Sequence, residues 1–513
     1  MSGHRHWREE CGVVGVAGVP GAAELASLAL HALQHRGQES AGITVSDGRL
    51  LTTHKRMGLV ADVFDETRLK GMPGAFAIGH VRYSTSGSSS LINAQPIQVA
   101  SHRGAMSLAH NGNLVNAPQL RRDMEQSGSI FSTTSDSEVI LHLLARDRSP
   151  TLVEALQSVL PQLRGAYSLV VLAGDKVIAA RDPLGFRPLC LGRFQDSYVV
   201  ASESCAFDII GARYLRDIEP GELAVLGQGE LTSRRLAAAG PQRRCVFEHV
   251  YFSRPDSRIF GMSVETARRR SGEILGREAP ANADLVMAVP DSSNTAALGY
   301  ARATGLPFEL ALIRNHYVGR TFISPAQQVR DMSVRIKFNP VSEIIAGKRV
   351  VVVDDSIVRG TTMRKLVKLI RGAGASEVHL RIASPPVTNP CFYGIDTPVR
   401  KELIASSHSV EEIAAYLRVD SLRYLSLAGL LEATGEGEQY CNACFTGDYP
   451  VPFDSEVDKD AFDRHAAGQE LILRPRTGLP AARPVPSPHD ADQTPAGEPD
   501  AAGPVRPDSG TSA

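Results

Sequence analysis

The hydrophobic rhythm of the chain changes about halfway along. Up to about residue 236, short apolar runs such as AFAIGHVRYST, YSLVVLAG, KVIAARD and YVVASES are separated by Gly, Asp and Ser turns, the pattern of β-strands. Two helical stretches interrupt them. Residues 24–33 carry apolar side chains at helical spacing, and a segment opening at Ser135 pairs Ser135 with Glu138 as a capping box ahead of VILHLLA. This pattern predicts an α+β layered domain. After a basic, Ala-rich connector at 232–244, strand, loop and helix alternate. The clearest unit is KRVVVVDDSIVRGTTMRKLVKLIRGAGASEVHLRIAS: an apolar strand, a polar loop, a helix closed by Gly372 and Gly374, and a second strand. Such a unit predicts an α/β domain with a parallel sheet. Over 474–513 the text is rich in Pro, Ala, Asp and Gly with almost no large apolar residues, and too little apolar area can be buried to offset ordering entropy. A disordered tail is expected there.

Length and composition narrow the class. A chain of 513 residues with 43% hydrophobic and 22% charged positions has the balance of a globular protein of two or three domains. The 55 Lys and Arg nearly cancel the 56 Asp and Glu, so no net field favours nucleic acid or an anionic membrane, and small ligands are the expected partners. Apolar runs such as 350–353 are far shorter than the ~20 residues that span a bilayer. MSGHRHWREE lacks the apolar core of an export signal, which predicts a cytoplasmic protein. Seven cysteines without dense spacing fit a reducing compartment, where cysteine more often does chemistry or binds metal than forms disulfides.

The first half carries CGVVGVAG after two glutamates, then QHRGQESAG, HVRYSTSG, AHNGNL and SDSE. In that order these strings resemble the class II glutamine amidotransferases, whose N-terminal-nucleophile (Ntn) hydrolase domain releases ammonia from glutamine. The resemblance implies a glutaminase domain over 11–235 with Cys11 as nucleophile. Amide hydrolysis by a thiol needs a thiolate and a base, and a Cys thiol (pKa ~8.5) beside a free α-amine (pKa ~8) supplies both within one residue. That amine exists only if Cys11 is first, so residues 1–10 are expected to be a propeptide. By the same resemblance Arg82 would pair with the glutamine α-carboxylate through its guanidinium fork. Asp136 would hold the α-ammonium, and Arg36 and Gly37 would shape the pocket. The Asn111 side chain and the Gly112 N–H would form an oxyanion hole, which needs fixed donors and close approach.

In the second half, VVVVDDSIVRGTT places two acids after a strand and a loop ending in Gly and hydroxyls before a helix. A ligand can sit at the carboxyl end of a parallel strand, with phosphate on the unpaired N–H groups of the next helix. The string resembles the signature of type I phosphoribosyltransferases and implies a domain over 245–454 that binds phosphoribosyl pyrophosphate. Arg359, Gly360, Thr361 and Thr362 would then cradle the 5-phosphate, with Ser356 also binding phosphoribosyl pyrophosphate. Asp354 and Asp355 would face the ribose hydroxyls and a Mg2+ shell, where hard carboxylate oxygens suit a hard cation. AVPDSSNTAALGYA resembles the amidotransferase branch's second strand-loop-helix element, with Ser292 toward Mg2+. RNHYVGRTFISPAQQVRDMSVRIKFN resembles its long loop, whose Arg330, Arg335 and Lys337 would close over pyrophosphate and exclude water. His316 stands where that branch more often has a basic residue.

Cys441 and Cys444 form a C-x2-C pair, and Cys245 and Cys391 lie in RRCVFEHVYFSRPDS and NPCFYGIDT. Spacing leaves zinc and an iron-sulfur cluster open, since both accept four thiolates. All four contexts resemble the propeptide-bearing subgroup of glutamine phosphoribosylpyrophosphate amidotransferases, which implies one [4Fe-4S] cluster and one Mg2+ per subunit. Cys190 and Cys205 lie in apolar strand-like text and read as core. The family resemblance implies formation of 5-phosphoribosylamine, glutamate and pyrophosphate from glutamine, phosphoribosyl pyrophosphate and water, the committed step of purine synthesis. It also implies feedback by purine nucleotides and a homotetramer. Two rivals differ from this reading. Ntn amidotransferases that make glucosamine phosphate or asparagine lack the acid-pair loop, and a regulator that only senses phosphoribosyl pyrophosphate has no need of Cys11.

Overall fold

The structure, a computed structural model, describes residues 11–83, 88–236, 240–315, 336–397, 399–435 and 437–453. The expectations for residues 1–10, Arg330, Arg335, His316 and the 474–513 tail lie outside the described residues.

Two antiparallel sheets build the first half. Strand Gly12–Ala17 lies between Ser197–Ala201 and Phe76–Arg82 in a seven-stranded sheet, and Gly104–Leu114 pairs with Gly165–Ala173 in a six-stranded one. Because strand side chains alternate, Val14 and Val16 pack toward helix Ala22–Ala32 while Val13 and Ala17 face Ala109, Val170 and Val177 of the other sheet. The two sheets approach closely at Gly15, where a Cβ would lie 2.8 Å from Val177 and 2.9 Å from Val170. The outer face of the second sheet is covered by helices Ser137–Arg146 and Leu152–Val159, with Ile140, Leu144 and Leu156 against Leu108, Leu169 and Val171. The result is a helix-sheet-sheet-helix stack, the layered α+β arrangement of the strand-rich half.

Two local expectations are corrected. The capping box at Ser135 and Glu138 does not form; the helix starts at Ser137 with Asp136 as its N-cap. The Glu138 carboxylate instead accepts the N–H groups of Ser132 and Thr133 and the Thr133 hydroxyl, because the loop before the helix folds back over it. The stretch 232–244 is also more than a connector. It begins inside Leu231–Arg235, which pairs with Glu222–Leu226 at the edge of the six-stranded sheet.

The second half is built on a four-stranded parallel sheet in the order Leu285–Ala288, Arg349–Asp354, Glu377–Ile382, Ser421–Tyr424. The run of four valines is buried on both faces, which is why it shows no alternation. Val350 and Val352 meet Met363, Leu366 and Ile370 of helix Thr361–Gly372, while Val351 and Val353 face the cluster that holds helices Val264–Glu278 and Asn294–Thr304. A short parallel pair, Arg244–Cys245 with Tyr440–Cys441, ties the start of this half to its end. Both halves belong to one compact unit within Met1–Leu471. Among the described residues no helix is long and apolar enough to cross a membrane.

Candidate functional site

Cys11 immediately precedes strand Gly12–Ala17, and pairing of Gly12 with Val81 sets it beside the end of Phe76–Arg82. It is buried, and its thiol donates to the Tyr83 carbonyl at 3.3 Å. Gly37 is required by close packing, since a Cβ there would lie 2.6 Å from the Val81 carbonyl carbon. Arg82 is buried too, with Nη1 donating to the Ser88 carbonyl at 3.1 Å. The His80 ring meets the His110 carbonyl at 3.0 Å, joining this strand to Gly104–Leu114 just ahead of Asn111 and Gly112. Asp136 reaches the same strand, its Oδ2 accepting the Leu114 N–H at 2.9 Å.

Asn111 is 1% exposed, yet neither its Nδ2 nor its Oδ1 has a hydrogen-bond partner among the described residues. Burying an amide without partners is costly, so such a group is ordinarily kept for a ligand. Gly112 has φ 152°, and a Cβ there would sit 2.1 Å from the Ala166 carbonyl oxygen. Only glycine fits.

Arg36 lies beside Cys11. Its Nε donates to the Cys11 carbonyl at 3.1 Å, and its Nη atoms reach Glu203 at 2.6 Å and Glu248 at 2.8 and 3.0 Å. The guanidinium therefore fixes the Cys11 backbone. Burial alone would raise the Glu203 carboxyl, but His35 and Arg36 outweigh it and hold it at about 2. Glu248 also accepts from the Ser253 hydroxyl at 2.7 Å and faces Arg187 Nη1 at 3.4 Å. Glu203, Glu248 and Arg187 escaped the sequence reading. The sequence shows each as a lone charge in apolar text, and only their burial side by side marks them.

The second cluster lies at the carboxyl end of Arg349–Asp354. Ser292 Oγ donates to Asp355 Oδ2 at 2.6 Å, Ser293 Oγ to Asp354 Oδ1 at 2.9 Å, and Ser356 Oγ to Asp355 Oδ1 at 2.6 Å. Burial and the neighbouring Asp355 charge push the Asp354 carboxyl well above the usual range, and burial raises Asp355 against its hydroxyl donors. Arg268, also missed from sequence, is buried behind them; its Nη1 meets the Ser292 carbonyl at 3.5 Å. Gly360, at φ 70°, turns the loop into helix Thr361–Gly372, whose first turn carries Thr361 and Thr362. Arg359 is paired with Glu402. The Lys337 carbonyl accepts from Asn315 N–H at 2.8 Å.

Two of the four cysteines pair where the chain returns to its start. Cys245 and Cys441 are register partners on parallel strands. Burial pushes the Cys441 thiol up to about 12, with Cys391 adding to the rise, and lifts Cys444 well above the usual range beside both. Cys391 Sγ accepts the Tyr393 N–H at 3.3 Å. Among the described residues no group of three or more His, Cys, Asp or Glu is arranged to hold a metal ion. Cys190 and Cys205 are buried in the first half.

Comparison with known proteins finds a match in each half of the chain. Residues 80–208 match the glutamine amidotransferase domain family and residues 263–383 the phosphoribosyl transferase domain family. The amidophosphoribosyltransferase of Bacillus subtilis (strain 168) is 51% identical over 451 residues, covering 86% of this chain and 94% of that protein. That of Archaeoglobus fulgidus is 51% identical over 453 residues, covering 87% and 99%. A solved structure of glutamine phosphoribosylpyrophosphate amidotransferase from B. subtilis, complexed with ADP and GMP, superposes with a TM-score of 0.83 at 49% identity, covering 87% of this chain and 98% of that one. At this identity and coverage, with both half-domains matched in order, the chain belongs to the amidophosphoribosyltransferase family.

Proposed function

We propose that this chain converts glutamine, phosphoribosyl pyrophosphate and water into 5-phosphoribosylamine, glutamate and pyrophosphate, the committed step of purine synthesis. The domain over 11–235 releases ammonia and the domain over 245–454 consumes it. The observation that carries the reading is the buried Asn111 amide without a partner, in a strand joined to the one beside Cys11. A regulator that only sensed phosphoribosyl pyrophosphate would have no use for it.

Once residues 1–10 are removed, the α-amine of Cys11 takes the thiol proton and the thiolate attacks the glutamine side-chain amide. Asn111 Nδ2 and the Gly112 N–H receive the oxyanion, while Arg82 and Asp136 hold the α-carboxylate and α-ammonium. Arg36 keeps the Cys11 carbonyl, and so the nucleophile, in place. The adduct collapses as the Cys11 α-ammonium returns its proton to the departing ammonia, and water hydrolyses the thioester to glutamate; ammonia then attacks the anomeric carbon and pyrophosphate leaves. Arg359, Gly360, Thr361 and Thr362 hold the 5-phosphate, with Ser356 also binding phosphoribosyl pyrophosphate; Arg330, Arg335 and Lys337 cover the pyrophosphate.

The acid pair fits a divalent cation. Two carboxyls driven upward by burial, Asp354 also by the Asp355 charge, regain their ionised form beside one, and carboxylate oxygens suit magnesium. Ser292, Asp354 and Asp355 would hold one Mg2+ per subunit, which would supply positive charge to the leaving pyrophosphate. The thiol set fits a cluster in its chemistry: Cys245 and Cys441 are register partners, and the Cys441 and Cys444 thiols, raised by burial, ligate only once a cation displaces their protons. Cys245, Cys391, Cys441 and Cys444 would hold one [4Fe-4S] cluster, which fastens the C-terminal segment. Feedback by purine nucleotides and a homotetramer complete the proposal; the ADP and GMP complex of the B. subtilis relative supports the first. Pyrophosphate release assayed with glutamine or ammonia as nitrogen donor tests the whole. Release with neither donor would overturn it.

A further inference from the structure

The second half of the chain also touches the oxyanion-hole strand directly. Asn113 Nδ2 donates to the Phe392 carbonyl at 2.9 Å. Arg187, fully buried, donates from Nε at 2.9 Å and Nη2 at 2.7 Å to the Tyr393 carbonyl, and Phe186 stacks on the Tyr393 ring at 4.4 Å. Gly394, at φ 107°, follows. A Cβ on it would lie 3.0 Å from both Cα and the carbonyl carbon of Gly112 and 3.3 Å from Arg187 Nη2. Gly112 is therefore wedged between two backbones, the Ala166 carbonyl on one side and Gly394 on the other. None of the glutaminase motifs contains residues 392–394, and no phosphoribosyl-binding role falls on them.

We propose that residues 392–394 are a positioning element for glutamine hydrolysis, a turn of the second domain that fixes the Gly112 peptide in the orientation its N–H needs to receive the oxyanion. This rests on the reading of Asn111 and Gly112 as the oxyanion hole. A hole works only if its donors are already aimed before charge develops, so a peptide free to rock loses rate without losing substrate affinity. Gly112 is especially free to rock, because without a Cβ its φ and ψ are poorly restricted from within. Its neighbours supply the restriction. Asn113 and Arg187 anchor the turn by its carbonyls, which brings Gly394 flat against Gly112. In this arrangement the first domain's glutaminase is complete only when the second domain is docked on it.

The test uses the full, processed protein with Gly394→Ala, whose added methyl pushes on Gly112, and Asn113→Ala, which only removes the anchor to Phe392. Removal of an oxyanion donor lowers kcat by about 100- to 1000-fold, so displacement of one should cost roughly 10- to 100-fold. Expected for Gly394→Ala is a kcat for glutamine hydrolysis lower by about that factor, KM for glutamine within about threefold, and an unchanged ammonia-dependent rate, with a smaller loss of the same kind for Asn113→Ala. Binding of glutamate γ-semialdehyde, which forms a tetrahedral adduct on Cys11, should weaken in parallel with kcat while glutamate binding does not. An unchanged kcat in both variants overturns the proposal. So does a rise in KM or a joint fall of the ammonia-dependent rate, the marks of a merely structural role. If Gly394→Ala does not fold, Asn113→Ala decides by the same criteria. Asn111→Ala separates the two levels: full glutamine turnover in it would remove the oxyanion-hole reading, whereas loss there with no effect at 394 and 113 removes the positioning role alone.

Discussion

Arg36 and Glu248 lie in different halves of the chain and form a two-point ion pair, 3.0 and 2.8 Å, with neither side chain reached by solvent. Since Arg36 Nε also holds the Cys11 carbonyl, Cys11 is backed by a charge that the second half balances. Removing one member of a buried pair strands the other in low dielectric, at a cost of about 3–5 kcal/mol. Glu248→Gln keeps the volume and deletes the charge, leaving Arg36 and Arg187 short of a counter-ion. We expect a clear drop in melting temperature and a weaker glutamine-dependent rate. An unaltered melting curve would show that Glu203 alone balances the site.

The two chemistries should separate by mutation. Cys11→Ala is expected to abolish glutamine-dependent synthesis while leaving reaction with added ammonia, once processing of that variant has been checked. Replacing Asp354 and Asp355 together by Asn removes charge-assisted contacts worth about 1.5 to 3 kcal/mol each, and both nitrogen sources should fail. A two-by-two kinetic comparison decides. Ammonia-dependent turnover surviving in the double Asn variant would mean that the acid pair does not serve the shared step.

His80 gives the fold an acid sensitivity of known sign. Burial holds its imidazole at about 3 against a usual 6.5. As pH falls through that window the unfolded chain takes up a proton that the folded chain refuses, so this residue's contribution to stability is lost progressively below 6.5, by at most ~1.4 kcal/mol per pH unit. His80→Gln should melt lower at pH 7 yet lose less on acidification to pH 4. Parallel melting curves for the two proteins between pH 7 and 4 would contradict it.

Four cysteine ligands to one cluster require about four irons per chain in anaerobically purified protein, with a brown colour. Cys391→Ser and Cys444→Ser should each lower the iron content and the melting temperature together. Stoichiometric zinc in fully active protein would instead identify the other metal that four thiolates accept.

Intact mass of active protein is expected to begin at Cys11, because only a free amine there can serve as the base. Active protein that retains residues 1–10 would contradict the catalytic assignment, since an acylated nitrogen has no lone pair to offer.

Legibility follows distance along the chain. HNG and VVVVDDSIVRGTT each lie within a few consecutive residues, so a reader of sequence sees the strand, the turn and the candidate groups together. The βαβ unit is legible for the same reason, and so is the burial of Cys190 and Cys205. What the sequence hides is whatever two distant segments make jointly. Arg36 sits in a recognisable string, yet its hydrogen bonds go to the Cys11 backbone and to two acids that no local pattern connects. The capping box at Ser135 misleads because the pattern is local while the competing donors, Ser132 and Thr133, are delivered by a loop conformation.

The parallel pairing of Cys245 with Cys441 joins the outermost strands of the second half, with the whole central sheet lying between them in sequence. Closing so long a loop carries an entropic cost that local contacts cannot offset, so the pair gains its partner only after the intervening strands have assembled. The thiol corner is thus a late event in folding. Any metal captured there reports that the domain has been completed, and a chain cut short before Cys441 has nothing to close upon.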